Sequence, residues 1–90
     1  MDTTRFESEL KRDGFLEVEK KTVGPNVSIE EHTHPYDVRA MVLEGQVTLR
    51  FDGKAQTCRA GDSITMAAGC AHSESYGPQG VTYLVGRRKK

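Results

Sequence analysis

The feature that most constrains this chain is its punctuation. Gly14, Gly24-Pro25-Asn26, Glu44-Gly45, Asp52-Gly53, Ala60-Gly61-Asp62, Ala68-Gly69 and Gly77-Pro78 cut the sequence into short segments. A turn signal every 8–12 residues or so suits a sandwich or a barrel. Between the breaks, Val27-Ser28-Ile29-Glu30 and Val47-Thr48-Leu49-Arg50-Phe51 alternate with the strand period, while Val38 to Leu43 is apolar apart from Arg39, as in a strand buried on both faces. Asp52-Gly53 is a type I′ hairpin signal. Only the start of the chain reads as a helix. Thr4-Arg5-Phe6-Glu7 has the form of a capping box, Phe6 and Leu10 make an apolar stripe, Glu7 and Lys11 can pair across a turn, and Gly14 suits a helix end that needs positive φ. The expected architecture is an all-β, small antiparallel barrel of about eight strands behind a short helix near residues 4–12. Residues 1–90 form one domain: helix and turn to about 14, barrel over 15–86, and a basic tail at 87–90.

Composition narrows the function classes. Ninety residues leave room for one domain, and 36% apolar residues without a Trp give a thin core, which favours a homodimer. Thirteen basic residues balance thirteen acidic ones, so net charge offers no reason to expect nucleic acid or an anionic membrane. Four of the bases are Arg87, Arg88, Lys89 and Lys90, expected to be a solvated, frayed terminus. No apolar run is long enough to span a bilayer, and the acidic N-terminus lacks the form of a secretory signal. Cys58 and Cys70 form no CxxC pair. A cytoplasmic protein with reduced thiols fits best.

The chain has three histidines, His32, His34 and His72. In an extended segment His32 and His34 point to one face and make half of a metal site. Taken alone, His-x-His is equally a pair of polar residues on a solvated face. The wider context is more specific. The run from His32 through Tyr36-Asp37-Val38-Arg39 to Gly45 resembles the first motif of the cupin superfamily, Gly-x5-His-x-His-x(3 or 4)-Glu-x6-Gly. Gly61 through Ala67-Ala68-Gly69-Cys70-Ala71-His72 is similar to the second, Gly-x5-Pro-x-Gly-x2-His-x3-Asn. The two motifs and their hairpin spacer cover about half the chain, and every histidine falls where the family places a ligand. Asn26, Ala67 and Tyr76 replace the motif Gly, Pro and Asn. The family's ligating Glu falls on Val38, or on Arg39 with one more spacer residue, and neither binds a metal. Asp37, by strand alternation, faces the other way.

The resemblance implies a jelly-roll barrel with a three-histidine site of His32, His34 and His72, holding a divalent transition metal (Fe, Ni, Zn, Cu or Mn). It implies a small-molecule ligand and a metal-dependent enzyme of oxygenase or isomerase type acting on a small polar molecule. The alternative is a non-catalytic ligand-binding or sensor cupin without essential metal. No helix-turn-helix segment is present for direct DNA binding. With all three histidines engaged, no other is available as general base. Cys70 shares parity with His72 but reads better as a small buried turn residue. Arg39 either faces an anionic substrate or pairs with Asp37 or Glu44 at a dimer contact. Tyr36, Tyr76 and Tyr83 are expected to cap the apolar ends of the barrel. Met41, Leu43, Leu49, Phe51 and Met66 read as core or interface, and the Glu17 to Lys21 charge run as a solvated strand edge.

Overall fold

The computed structural model describes residues 2–89. In chain order it contains α1 (Thr4–Arg12), β1 (Glu17–Val23), β2 (Ser28–His32), β3 (Tyr36–Phe51), β4 (Lys54–Arg59), β5 (Ser63–Met66) and β6 (His72–Lys89). All strand pairings are antiparallel. The sheet runs β1-β6-β3-β4, with β2 added to β6 and β5 to β3. The chain is thus an all-β antiparallel jelly roll with one short helix, as the turn pattern predicts.

Among the described residues six strands appear where about eight were expected, because two turn signals do not end a strand. Glu44-Gly45 lies inside the sixteen-residue β3, and Gly77-Pro78 inside the eighteen-residue β6. Both are absorbed as register shifts: the β3–β6 ladder slips between Val42 and Glu44 and again between Gly45 and Val47. At that point a Cβ on Gly45, at φ +77°, would run into the Gly80 carbonyl. The glycines therefore let two long strands cross closely while bending. The hairpin signal at Asp52-Gly53 is obeyed, with both residues at positive φ.

The helix spans the expected residues, but its capping differs. Thr3 is the N-cap, and its hydroxyl donates to the Glu7 carboxylate (2.8 Å). Asp2 accepts from the Thr4 backbone N–H (2.9 Å). The capping box anticipated from Thr4 is therefore not formed, since the Thr3 hydroxyl accepts no backbone N–H. Phe6, Leu10 and Phe15 bury against Leu84, Met41 and Leu43 on the outside of the sheet, over Gly86, whose missing side chain admits Leu10. The main core lies inside the barrel, around Val42, Val47, Leu49, Cys58, Met66, Tyr76 and Val81. Burial pushes the Cys58 thiol pKa up, so this cysteine is a packing residue.

Two expectations about charge are overturned. The terminus is not frayed through residue 89: Arg87, Arg88 and Lys89 pair with Val38, Asp37 and Tyr36 as the end of β6. Lys90 lies outside the described residues. Arg39 faces outward, away from the cavity, but its partners are Asp13 and Glu9 instead of Asp37 or Glu44. Its guanidinium pairs with Asp13 (3.1 Å) and Glu9 (3.4 Å) and lies near the Phe6 and Phe15 rings, clasping α1 to the sheet. Odd-numbered positions at the start of β3 face outward, which also sends Asp37 away from the barrel. One Asp37 oxygen accepts from the Ala68 N–H (2.8 Å) and the other from Arg88 (2.9 Å).

Candidate metal centre

His32 ends β2 and is the direct cross-strand partner of His72 at the start of β6. His34 follows two residues on, and its carbonyl accepts the Gly69 N–H (2.8 Å), which ties the two motifs together. The result is three imidazoles at one place, with ring centroids 4.3 Å (His32–His72), 4.8 Å (His32–His34) and 5.0 Å (His34–His72) apart. One ligand atom from each lies within 4.8 Å of the others.

Two tautomers follow from the hydrogen bonds. His32 Nδ1 lies 2.7 Å from the Glu30 carbonyl, and His72 Nδ1 lies 3.0 Å from the Cys70 carbonyl. A carbonyl only accepts, so each Nδ1 carries a proton, and in the neutral imidazole the lone pair is then on Nε2. Backbone anchoring of the far nitrogen is the outer-shell arrangement that orients a metal-binding histidine. Burial, and after it the neighbouring His72 and His32, lower the His34 pKa and favour its neutral form.

The imidazoles open into a cavity of about 200 Å³. Its apolar wall includes Val38, Ala40, Val42, Ile64 and Met66, so Val38 does occupy the cavity wall. Tyr36, Tyr76 and Tyr83 also line it, correcting their placement as end caps. His34 stacks on Tyr36 at 4.9 Å. Cys70 does not join this lining. Its Sγ contacts the Ala71 carbonyl (3.8 Å), and the residue packs against the barrel core, in keeping with a turn position.

Three charged residues in the cavity were missed in the sequence. Glu74 projects from β6 on the same face as His72, with Oε2 3.5 Å from His32 Nε2 and 4.0 Å from His72 Nε2. Its other oxygen accepts the Tyr76 hydroxyl (2.9 Å). The signal for it was present: His72-Ser73-Glu74 has the same i, i+2 parity as His32-Thr33-His34. Lys21 and Arg87 line the cavity as well, although they had been assigned to a solvated edge and a free tail. Arg87 is bonded to Glu19 (3.1 Å) and lies 5.8 Å over the Tyr36 ring. Burial opposes its charge, but the bonds to Glu19 and Tyr36 outweigh that and raise its pKa.

A jelly roll closed around three histidines that could hold an ion is the architecture that defines the class. The Cupin domain family matches residues 20–75, and the chain belongs to that family. Among solved structures it is similar to a conserved Streptococcus pyogenes protein of unknown function (20% identity, TM-score 0.66), covering 82% of this chain and 75% of that one. It resembles a Bacteroides fragilis cupin (19%, TM-score 0.67), covering 80% and 64%. It is also similar to the DMSP lyase DddQ of Ruegeria pomeroyi (18%, TM-score 0.73), covering 81% of this chain and 38% of the lyase. At these identities the likeness carries the fold alone. No curated protein matches.

Proposed function

We propose that this chain is a metal-dependent cupin in which His32, His34 and His72 hold a divalent transition metal, and that it acts on a small polar molecule by isomerase- or lyase-type chemistry. The observation that carries the reading is the pair of backbone-anchored Nδ1 atoms, which leaves the Nε2 lone pairs of His32 and His72 available beside His34. Neutral imidazoles are a donor set that suits Fe, Ni, Cu and Zn, and an adjacent carboxylate extends the range to Mn. When bound, such an ion supplies Lewis acidity to polarise a substrate oxygen.

The chain's own residues provide the rest. Lys21 and Arg87 give the cavity a cationic side suited to a negatively charged end of the substrate. Tyr76 is held as a proton carrier, since burial, and then the Glu74 charge, raise its pKa far above the usual range. Tyr83 is hydrogen-bonded to it and is raised by burial in the same way. The Tyr76 hydroxyl donates to the Glu74 carboxylate, which holds that carboxylate in place. A cavity of about 200 Å³ admits only a small molecule. A DMSP lyase is among the proteins of similar fold, which supports including lyase chemistry in the proposal.

Dimerisation belongs to the same proposal, supported by the exposed Val18 (45%) of the edge strand β1 and Leu16 (73%) just before it. Among the described residues no helix is long and apolar enough to cross a membrane. The test of the function is elemental analysis of protein expressed without an affinity tag, beside His72→Ala. A single metal near one equivalent, lost in the variant, is expected. A substoichiometric mixture unaffected by the variant would move the reading to a ligand-binding cupin. Oxygen consumption by the iron-loaded protein would move it to an oxygenase.

A further inference from the structure

The motif-one carboxylate is missing from β3, where Val38 stands in the cavity wall. A carboxylate nevertheless lies beside two of the three histidines, His32 and His72. Glu74 Oε2 is 3.5 Å from His32 Nε2, its side chain is only 18% exposed, and β6 fixes it two residues beyond His72. The charge pattern between these atoms is unusual. In their neutral form, the one that binds a metal, His32 and His72 use their single N–H on backbone carbonyls, so their Nε2 atoms are acceptors. Glu74 Oε2 is also an acceptor, and the other carboxylate oxygen is already engaged by Tyr76. Lone pairs on three atoms from three side chains therefore face one another across 3.5 and 4.0 Å. Such an arrangement is favourable only with positive charge between them, because acceptors held together in a partly buried site repel.

We infer that Glu74 is the fourth protein ligand of the metal centre, a carboxylate relocated from β3 to β6. This rests on the three-histidine metal reading above. Tyr76 is then a positioning residue: by bonding Oε1 it orients the carboxylate and leaves Oε2 for the ion. The relocated ligand changes the charge of the donor set from neutral to −1 and makes it a three-imidazole, one-carboxylate set, closer to the requirements of Fe, Mn, Ni or Zn than imidazoles alone. It also opens the Val38 side of the centre to substrate, between the ion site and the apolar wall.

The test is Co²⁺ titration of tag-free, metal-stripped protein by calorimetry and visible absorption, comparing wild type with Glu74→Gln, Glu74→Ala and the double variant Glu74→Ala/Val38→Glu. Gln keeps an acceptor for Tyr76 and guards against loss of folding, which circular dichroism checks. The expected result is that both single variants bind Co²⁺ at least tenfold more weakly. Their d–d absorption should change in shape, and the double variant should recover affinity. Wild-type affinity and an unchanged Co²⁺ spectrum in folded Glu74→Gln and Glu74→Ala would overturn the inference while leaving the three-histidine site intact. A wild-type protein that is folded yet binds no Co²⁺ would overturn both.

Discussion

The two sides of the β3–β6 ladder treat charge in opposite ways. On the outer side Arg39, Arg88, Asp13, Glu9 and Asp37 meet as opposite charges at 2.9–3.4 Å and fasten α1 over Phe6, Leu10 and Phe15. On the inner side His32, His72 and Glu74 present acceptors to acceptors at 3.5–4.0 Å, in a cavity that also holds Lys21 and Arg87. Outer charges are complete without any further group, and their role is to hold the helix. Inner groups are complete only with a cation or a ligand. The same strands alternate between the two duties, residue by residue, so a scaffold and a site share one backbone.

The comparison can be broken first from the outside. Leu10 is fully buried beneath the helix. Leu10→Ala should cost about 2–5 kcal/mol of stability. Chemical denaturation followed by circular dichroism measures this, and metal content per folded molecule should not change. A loss of metal in parallel with stability would mean that the two sides are not separable. From the inside, His72→Ala should weaken metal binding at least tenfold, about 1.4 kcal/mol or more, by removing one of three imidazoles. The melting temperature of the metal-free form should fall much less than in Leu10→Ala. Calorimetric titration and thermal melts read the two effects separately.

A smaller and opposite effect is expected from Val38→Glu in the wild-type background. A second carboxylate entering from the cavity wall should raise metal affinity several-fold, less than the His72 loss, because Glu74 already supplies one. Unchanged affinity would mean that position 38 does not face the ion. Least of all should follow from Arg5→Ala, which removes an i, i+4 pair with Glu9 whose arginine side chain is 94% exposed. Neither melting temperature nor metal content should move measurably, since such pairs contribute little in water.

Fold class was legible because strands and turns announce themselves locally. The three histidines were legible because their spacing is a motif. What escaped was longer in range. Gly45 and Gly77 read as turns because a glycine signals a departure from ideal backbone without saying whether the chain reverses or merely bulges. Lys21 and Arg87 read as solvated because a charged residue usually is, yet β1 and β6 bring both to the cavity through pairings visible only in three dimensions. Arg39 interrupts an apolar strand, and its partners Glu9 and Asp13 lie 30 and 26 residues away. Glu74 is hidden for a different reason: the motif puts its carboxylate on β3, whereas Glu74 stands on β6.

The central claim is that His32, His34 and His72 form one metal site. Anomalous diffraction from crystals of tag-free protein soaked in Co²⁺ tests it most directly. One strong anomalous peak among the Nε2 atoms of the three histidines, with Glu74 Oε2 in contact, is the result expected. Crystals in which the three rings diverge, or in which the only peak lies elsewhere on the protein, would contradict it.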